Sequence, residues 1–459
     1  MEKKAIQLRE LFAKKVEELE KLGEICVEGW VKTNRNNGKV GFLHLHDGTT
    51  FKNLQIVYSP DLVNFDEVSH YRLGAAVSFV GEIVLTPNMP QPFELHAKEA
   101  TLLGDVADDY PLQKKKTSFE FLREEAFLRP RTNTFDALYR VRSILATGIH
   151  TFFQEKGFVY VHTPIITAND AEGAGQVFTV TTDSKDPIND FFGRKASLTV
   201  SGQLHVEAFA LAFRNVYTFG PTFRAEKSNT PRHASEFWMI EPEIAFSDLD
   251  DDMNLIEECI KFCINWVLEK CPDEMAFFNK WVDNTLLAKL EKVRNSNFKR
   301  MEYTEGIALL KEAVAAGHHF ENSNIEWGMD LQSEHERYLT EEIVKGPVFL
   351  INYPKEIKAF YMRLNDDQKT VAACDLLVPG EGEIVGGSQR EERYDLLKAK
   401  MEELGNLKGL EWYLDLRKYG GCKHAGFGLG FDRFLMYLTG VANIRDTEPY
   451  PRTSSAIKY

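Results

Sequence analysis

Tyr217-Thr-Phe-Gly-Pro-Thr-Phe-Arg-Ala-Glu226, Lys227-Ser-Asn-Thr-Pro231 and Arg232-His-Ala-Ser-Glu-Phe-Trp-Met-Ile-Glu-Pro-Glu243 read as a strand, a loop and a returning strand. Side chains alternate along a strand, so Thr222, Arg224 and Glu226 share one face and Phe219, Phe223 and Ala225 take the other. On the return, Phe237, Glu241 and Glu243 share a face. An arginine, glutamates and one aromatic on a single face suit a floor that holds an aromatic base and phosphates. A guanidinium is always charged and donates two parallel hydrogen bonds. A solvated sheet face with surface ion pairs is the competing account of the same spacing.

Outward from this hairpin, helices at 134–156 and 250–270 are interspersed with strands at 158–162, 217–226, 235–246, 347–352 and 424–431. No regular βαβ repeat is present, which predicts an α+β domain on an antiparallel sheet over residues 118–459. Two further segments in it carry chemistry. Lys423-His-Ala-Gly-Phe-Gly-Leu-Gly-Phe-Asp-Arg433 runs a strand into a helix. Gly426, Gly428 and Gly430 alternate, which strips one strand face of side chains and lets a ligand approach the backbone. Asp432 is placed to cap the helix, and Arg433 adds charge to a helix end that attracts anions. A glycine strand packed tightly under a helix is the alternative. Gly380-Glu-Gly-Glu-Ile-Val-Gly-Gly-Ser-Gln-Arg390 offers Glu383 for Mg²⁺ beside phosphate oxygens, or is a loop with surface charges.

Before this domain, residues 3–22 show helical periodicity in Leu8, Leu11, Phe12, Val16, Leu19 and Leu22, stopped by Gly23. Short strand signals from Ile25 to Leu103, turned at Asn36-Asn37-Gly38 and Asp47-Gly48, predict a five-strand barrel of the OB-fold type over 1–103. Residues 104–117, with Asp108-Asp109-Tyr110-Pro111 and Lys114-Lys115-Lys116, read as a hinge.

The chain has 459 residues, 43% apolar and 27% charged, which excludes disorder as its main state. No apolar run approaches the roughly 20 residues that span a bilayer, so no membrane association is expected. The start, MEKKAIQLRELF, has no apolar core or cleavage site of a signal peptide, which points to a cytoplasmic protein. The net charge of −14 disfavours nonspecific nucleic-acid binding but leaves local basic patches to decide specific contacts. Of the six cysteines, Cys259 and Cys263 share a helix face, but no partners stand at zinc-like spacing; buried, reduced thiols are expected.

Phe223-Arg-Ala-Glu226 with Arg232-His233 and Glu236-Phe237 resembles motif 2 of the class II aminoacyl-tRNA synthetases, and Gly426-Phe-Gly-Leu-Gly-Phe-Asp-Arg433 resembles motif 3. The helix ending near Gly157, followed by Phe158-Val-Tyr-Val-His-Thr-Pro164, looks like motif 1, which in that family forms the dimer interface. A preceding barrel is the mark of the subgroup with aspartyl-, asparaginyl- and lysyl-tRNA synthetases. The resemblance implies ATP as substrate, with Arg224 on its α-phosphate and Arg433 on its γ-phosphate. It implies Phe237 stacked on adenine, Glu226, Arg232 and His233 on the nucleotide, and Gly428 and Gly430 beneath it. It makes Glu383 the ligand of Mg²⁺; the family's second metal position is Gly386 here. It also implies a homodimer through the motif 1 helix and Pro164 region. No enzyme nucleophile is needed, because catalysis is positioning plus neutralisation of phosphate charge.

In the aspartyl enzymes a Gln-Leu-Tyr-Lys segment supplies a lysine for the substrate carboxylate. Here the segment is Ser201-Gly-Gln-Leu-His-Val-Glu207, with Val206 at the lysine position and Glu207 next. A carboxylate buried without that cation and near a glutamate is disfavoured, whereas a carboxamide can donate to Glu207 and accept from Arg390. L-Asparagine and tRNA(Asn) are therefore the expected substrates. By the same resemblance Glu172 and Glu241 bind the α-ammonium, with Gln203 nearby. A surface-helix role for Glu207 is the alternative.

On the barrel, Phe42 falls with His44 and His46, opposite Leu43 and Leu45; Gln55 and Asn53 fall opposite Leu54 and Ile56. By resemblance Phe42 stacks on, and Gln55 bonds, the central anticodon base, with Lys32, Arg35, Lys39 and Lys52 for phosphates. Three other functions stay open at this point: an aspartyl enzyme, possibly nondiscriminating; a synthetase-derived amide ligase that has lost tRNA; and a catalytically dead binding module.

Overall fold

The computed structural model describes residues 4–113, 117–169, 176–183, 185–186, 188, 190–228 and 230–459. The chain forms two compact units, Met1–Ala137 and Leu138–Tyr459. They part later in the chain than the 104–117 segment, within a long helix, Asn133–Glu155.

In the first unit, the periodicity over 3–22 is divided between two short helices, α1 (Leu8–Phe12) and α2 (Val16–Leu19). The break lets each piece turn its own leucines, Leu8 and Leu11, then Leu19, onto the barrel core. Tertiary packing overrides the tendency to a continuous helix here. Asp47 Oδ2 accepts from Leu8 N–H at 2.6 Å and fixes the start of α1. Gly23 takes the left-handed conformation expected of a helix stop.

Strands β1 (Glu24–Asn36), β2 (Gly41–His46), β3 (Leu54–Tyr58), β4 (Ala76–Leu85) and β5 (Phe93–Gly104) close into a barrel in the order β1-β2-β3-β5-β4. Val27, Val31, Leu43, Leu45, Leu54, Ile56, Val77, Phe79 and Leu95 fill it. The alternation is that of a closed sheet with one dry face.

The second unit is built on eight strands: β6 (Val159–Tyr160), β10 (Asn215–Phe223), β11 (Glu236–Ala245), β12 (Lys299–Glu302), β13 (Val348–Pro354), β14 (Thr370–Val378), β15 (Gly382–Gln389) and β16 (His424–Gly430). Their order is β12-β13-β14-β15-β16-β11-β10-β6. The six central strands are antiparallel, as expected, and the two outermost pairings are parallel. A small sheet, β7 (Ile166–Thr167), β8 (Thr179–Val180) and β9 (Ala196–Leu198), lies beside it in the chain. Within the 380–390 segment, Gly382–Gln389 is a central strand rather than a surface loop.

Helix α3 (Asn133–Glu155) precedes β6, and α4 (Gln203–Phe213) precedes β10. Helix α5 (Leu249–Lys270) covers the back of β14, β15 and β16. It buries Met253, Ile256, Cys259, Ile260 and Cys263, so the paired cysteines are core residues. All six thiols are free, and only Cys422 is partly exposed. A short helix, α6 (Ser333–Tyr338), and α7 (Phe431–Thr439) complete the elements around the site. Asp432 does not cap α7: Gly430 is the cap residue. Asp432 instead lies buried in the first turn, accepts Trp238 N–H at 3.0 Å and pairs with Arg142. No helix among the described residues is long and apolar enough to cross a membrane.

Candidate active site

β10 stops at Phe223, three residues short of the expected end, so Arg224 and Glu226 are not on a strand face. Arg224 N–H still reaches Ser235 C=O at 3.0 Å, and the chain then leaves the sheet. This departure delivers both side chains into a pocket of about 430 Å³. Arg224, Glu226, Arg232, His233, Phe237, Glu383, Gly428, Gly430 and Arg433 all line that one pocket. The structure thus brings together every residue expected around ATP.

Charge in the pocket is crowded. The Arg224 guanidinium lies 5.6 Å from the Phe237 ring centre. Burial lowers the pKa of Arg433, and Arg232 and Arg224 lower it further, against the pull of Glu383 and Glu336. Burial and the same three guanidiniums hold His233 below its ordinary value. Three mutually repelling cations around one cavity favour a polyanionic ligand. Of the alternating glycines, Gly428 and Gly430 face the pocket. Gly426 does not serve a ligand: an added Cβ would lie 2.4 Å from Glu243 Oε1, so this glycine makes room for a buried side chain.

Glu383 lies on β15. A Cβ at Gly386 would stand 3.3 Å from Glu383 Oε1 and 3.4 Å from Asp375 Oδ1, so the two carboxylates converge over that glycine. Burial pushes Glu383 upward, and Asp375 adds to it. Lys358 Nζ holds the other side of Asp375, 2.6 Å from Oδ2. Asp375 carries no signal in the sequence, because it sits in the apolar run of β14. Among the described residues no cluster of three or more metal-ligating side chains is present. Two hard carboxylates, one of them lining this cationic pocket, nevertheless fit Mg²⁺, which takes its remaining ligands from water and phosphate oxygens.

Of the residues expected around the amino acid, Gln203, Glu207, Glu241 and Arg390 are described, and all four are buried. Glu241 accepts from Ser201 Oγ and, at 2.8 Å, from Gly202 N–H. Arg390 pairs with Glu243 and donates to Ser388 Oγ at 2.8 Å. Its charge acts on Glu207, Glu241 and Glu243 together. Glu207 is fully buried on α4 and far from a surface residue. It accepts from Gln203 Nε2 at 3.1 Å, Tyr413 OH at 2.8 Å and Arg417 Nη2 at 3.0 Å, and His424 Nε2 lies 2.9 Å away. Burial alone would raise its pKa, but Arg417, His424 and Arg390 hold it below the ordinary carboxylate range.

One expectation is corrected here. Valine at the lysine position does not leave this region without a cation near the glutamate, since Arg417 lies against Glu207 with both side chains fully buried. Val206 itself packs with Val161, Ala210 and Val216. One residue turns a helix by about 100°, so Val206 and Glu207 face different surroundings. Tyr413, Arg417 and His424 carried no local signal. Glu172 lies outside the described residues.

On the barrel, Arg35 stands opposite Phe42 and His44 opposite Gln55. Phe42 is 39% exposed, whereas His46 is buried against Asn53 rather than sharing that open face. Gln55 Nε2 donates to Glu94 at 2.8 Å, and Lys32 Nζ is 2.6 Å from Arg131 C=O.

Residues 118–454 match the model of the tRNA synthetases class II (D, K and N), and residues 25–103 match that of the OB-fold nucleic acid binding domain. The chain is 57% identical over 448 residues to the "Asparagine--tRNA ligase" of Clostridium novyi (strain NT), covering 95% of this chain and 96% of that one. It is 58% identical over 442 residues to the protein of the same name from Desulfitobacterium hafniense (strain Y51), covering 94% and 95%. Its fold is similar to the crystal structure of asparaginyl-tRNA synthetase from Pyrococcus horikoshii complexed with asparaginyl-adenylate, with a TM-score of 0.86, 32% identity and coverage of 97% and 99%.

Proposed function

We infer, since this chain belongs to the class II tRNA synthetases (D, K and N), that it ligates L-asparagine to tRNA(Asn) through an asparaginyl-adenylate, releasing AMP and pyrophosphate. The observation that carries asparagine over aspartate is identity of 57% across 95% of the chain with a ligase of that name. Val206 does not carry it.

The asparagine carboxylate attacks the α-phosphorus of ATP in line, and pyrophosphate leaves. The terminal ribose hydroxyl of tRNA then attacks the mixed anhydride. Arg224 holds the α-phosphate, Arg433 the γ-phosphate of a bent ATP, and Phe237 stacks on adenine. Glu226, Arg232 and His233 hold the rest of the nucleotide, with Gly428 and Gly430 beneath. The support is their convergence on one cavity. Catalysis is positioning and neutralisation of developing charge. Glu383 with Asp375 would hold Mg²⁺, which when bound neutralises charge on the departing pyrophosphate. Glu241 and Glu172 take the α-ammonium. Arg390 donates to the carboxamide oxygen, and Glu207 accepts from its NH₂. Glu207 already has four donors, and Gln203 at 3.1 Å is the longest and the one proposed to give way.

Residues 1–103 read the anticodon and 118–459 carry the chemistry, working as a homodimer in the cytoplasm. The dimer runs through α3 and the Pro164 region, which is supported by the exposed apolar Val159, Ile165 and Ile166. Asparagine, and not aspartate, is expected to drive ATP–pyrophosphate exchange without tRNA; equal rates with both would remove the asparagine assignment. Phe42→Ala is expected to lose about 1–3 kcal/mol of base stacking, a rise of roughly 5- to 150-fold in KM for tRNA, with exchange nearly intact. A large loss of exchange would contradict the division of labour.

A further inference from the structure

α6 belongs to the segment between β11 and β16, and it meets the pocket wall. Ser333 Oγ accepts from Arg232 Nη1 at 2.9 Å. The same guanidinium donates through Nη2 to Glu383 C=O at 3.0 Å. Glu336 Oε2 accepts from Glu383 N–H at 3.1 Å. Both backbone groups of Glu383 are therefore held from α6: one by Glu336 directly, the other through an arginine that Ser333 braces. The strand is built to admit this contact. Gly382 has φ of +80°, and a Cβ there would stand 2.2 Å from Glu336 Oε2. The third Arg232 nitrogen, Nε, is buried with no partner among the described residues, on a residue that lines the pocket. A buried donor left open beside a cavity suits an incoming acceptor.

We propose that Ser333 and Glu336 are positioning residues for the pyrophosphate end of ATP, fixing Arg232 and the backbone of Glu383 before the nucleotide arrives. This rests on the assignment of the pocket to ATP. Neither residue touches the nucleotide; each acts through a residue that does. A bracing contact of this kind changes the affinity for the part of the ligand it serves and spares the rest.

The test is calorimetric titration of the full chain with ATP and with AMP, with and without Mg²⁺. Ser333→Ala and Glu336→Ala are each expected to weaken ATP about 3- to 10-fold, the scale of one lost hydrogen bond. AMP, which lacks the pyrophosphate, should bind as to the unaltered chain, and Ser333→Thr should restore ATP affinity. Equal weakening of both nucleotides would mean a general distortion of the pocket and overturn the proposal, as would an unchanged ATP affinity. Should the unaltered chain bind neither nucleotide, the ATP assignment itself fails. That outcome is distinct from normal ATP binding that ignores α6.

Discussion

Arg433→Ala is expected to lower kcat/KM for ATP in asparagine-dependent exchange by about 10³-fold or more, with little change in thermal unfolding. Arg433 lies in the first turn of α7 and lines the pocket with Arg224 and Arg232. Those two cations disfavour its charge, and burial does so more strongly. The fold therefore does not gain from this guanidinium in the way it gains from a neutralised pair. In the proposed γ-phosphate role its electrostatic benefit arises when phosphate arrives, and most of all when the leaving pyrophosphate gathers charge. Removing it should spare stability and cost rate. Arg433→Lys keeps a charge but loses the planar fork, so an intermediate loss is expected. Exchange kinetics beside a circular-dichroism melt measure both quantities. Undiminished turnover in the alanine variant would refute the γ-phosphate role, and a collapsed melt would make Arg433 structural.

What could be read from the sequence followed the range of the signal. The residues of the proposed nucleotide pocket are legible because each lies in a short segment whose spacing is itself the chemistry: Arg224 beside Glu226, Arg232 beside His233, and Arg433 closing a glycine strand. The barrel is legible because one of its faces is dry and the other wet. β14 was not, because all nine of its residues are buried and the alternation that marks a strand disappears. β15 is hidden as well, because glycines that signal a loop in isolation here admit Glu336 and Asp252 from neighbouring helices. The surroundings of Glu207 were least legible. Its partners Tyr413, Arg417 and His424 stand more than 200 residues away, and only the fold brings them together. Val206 at the lysine position suggests a site short of a cation, and the structure supplies an arginine from far along the chain.

That arginine is the second place where a single change should have a large effect. Arg417→Met is expected to lower unfolding free energy by about 3–5 kcal/mol at neutral pH, the cost of leaving one member of a buried ion pair uncompensated. Both side chains are fully buried, so solvent does little to screen the pair. Glu207 would keep Tyr413, Gln203 and His424 as donors but lose its permanent cation. In the unaltered protein the folded-state pKa of Glu207 is depressed, so its contribution is present above the ordinary carboxylate range and is lost as pH falls below it. In the variant, burial dominates and the folded-state value rises. The deficit should then grow with pH through and above the carboxylate range and shrink in acid. Glu207→Gln removes the charge and keeps an acceptor, so adding it to Arg417→Met should recover part of the loss, with a coupling of about 1–3 kcal/mol in a double-mutant cycle. Denaturant unfolding of the three variants at pH 5 and pH 8 measures this. Additive losses, or a deficit independent of pH, would mean that Arg417 acts through its packing on Tyr413 and not through its charge.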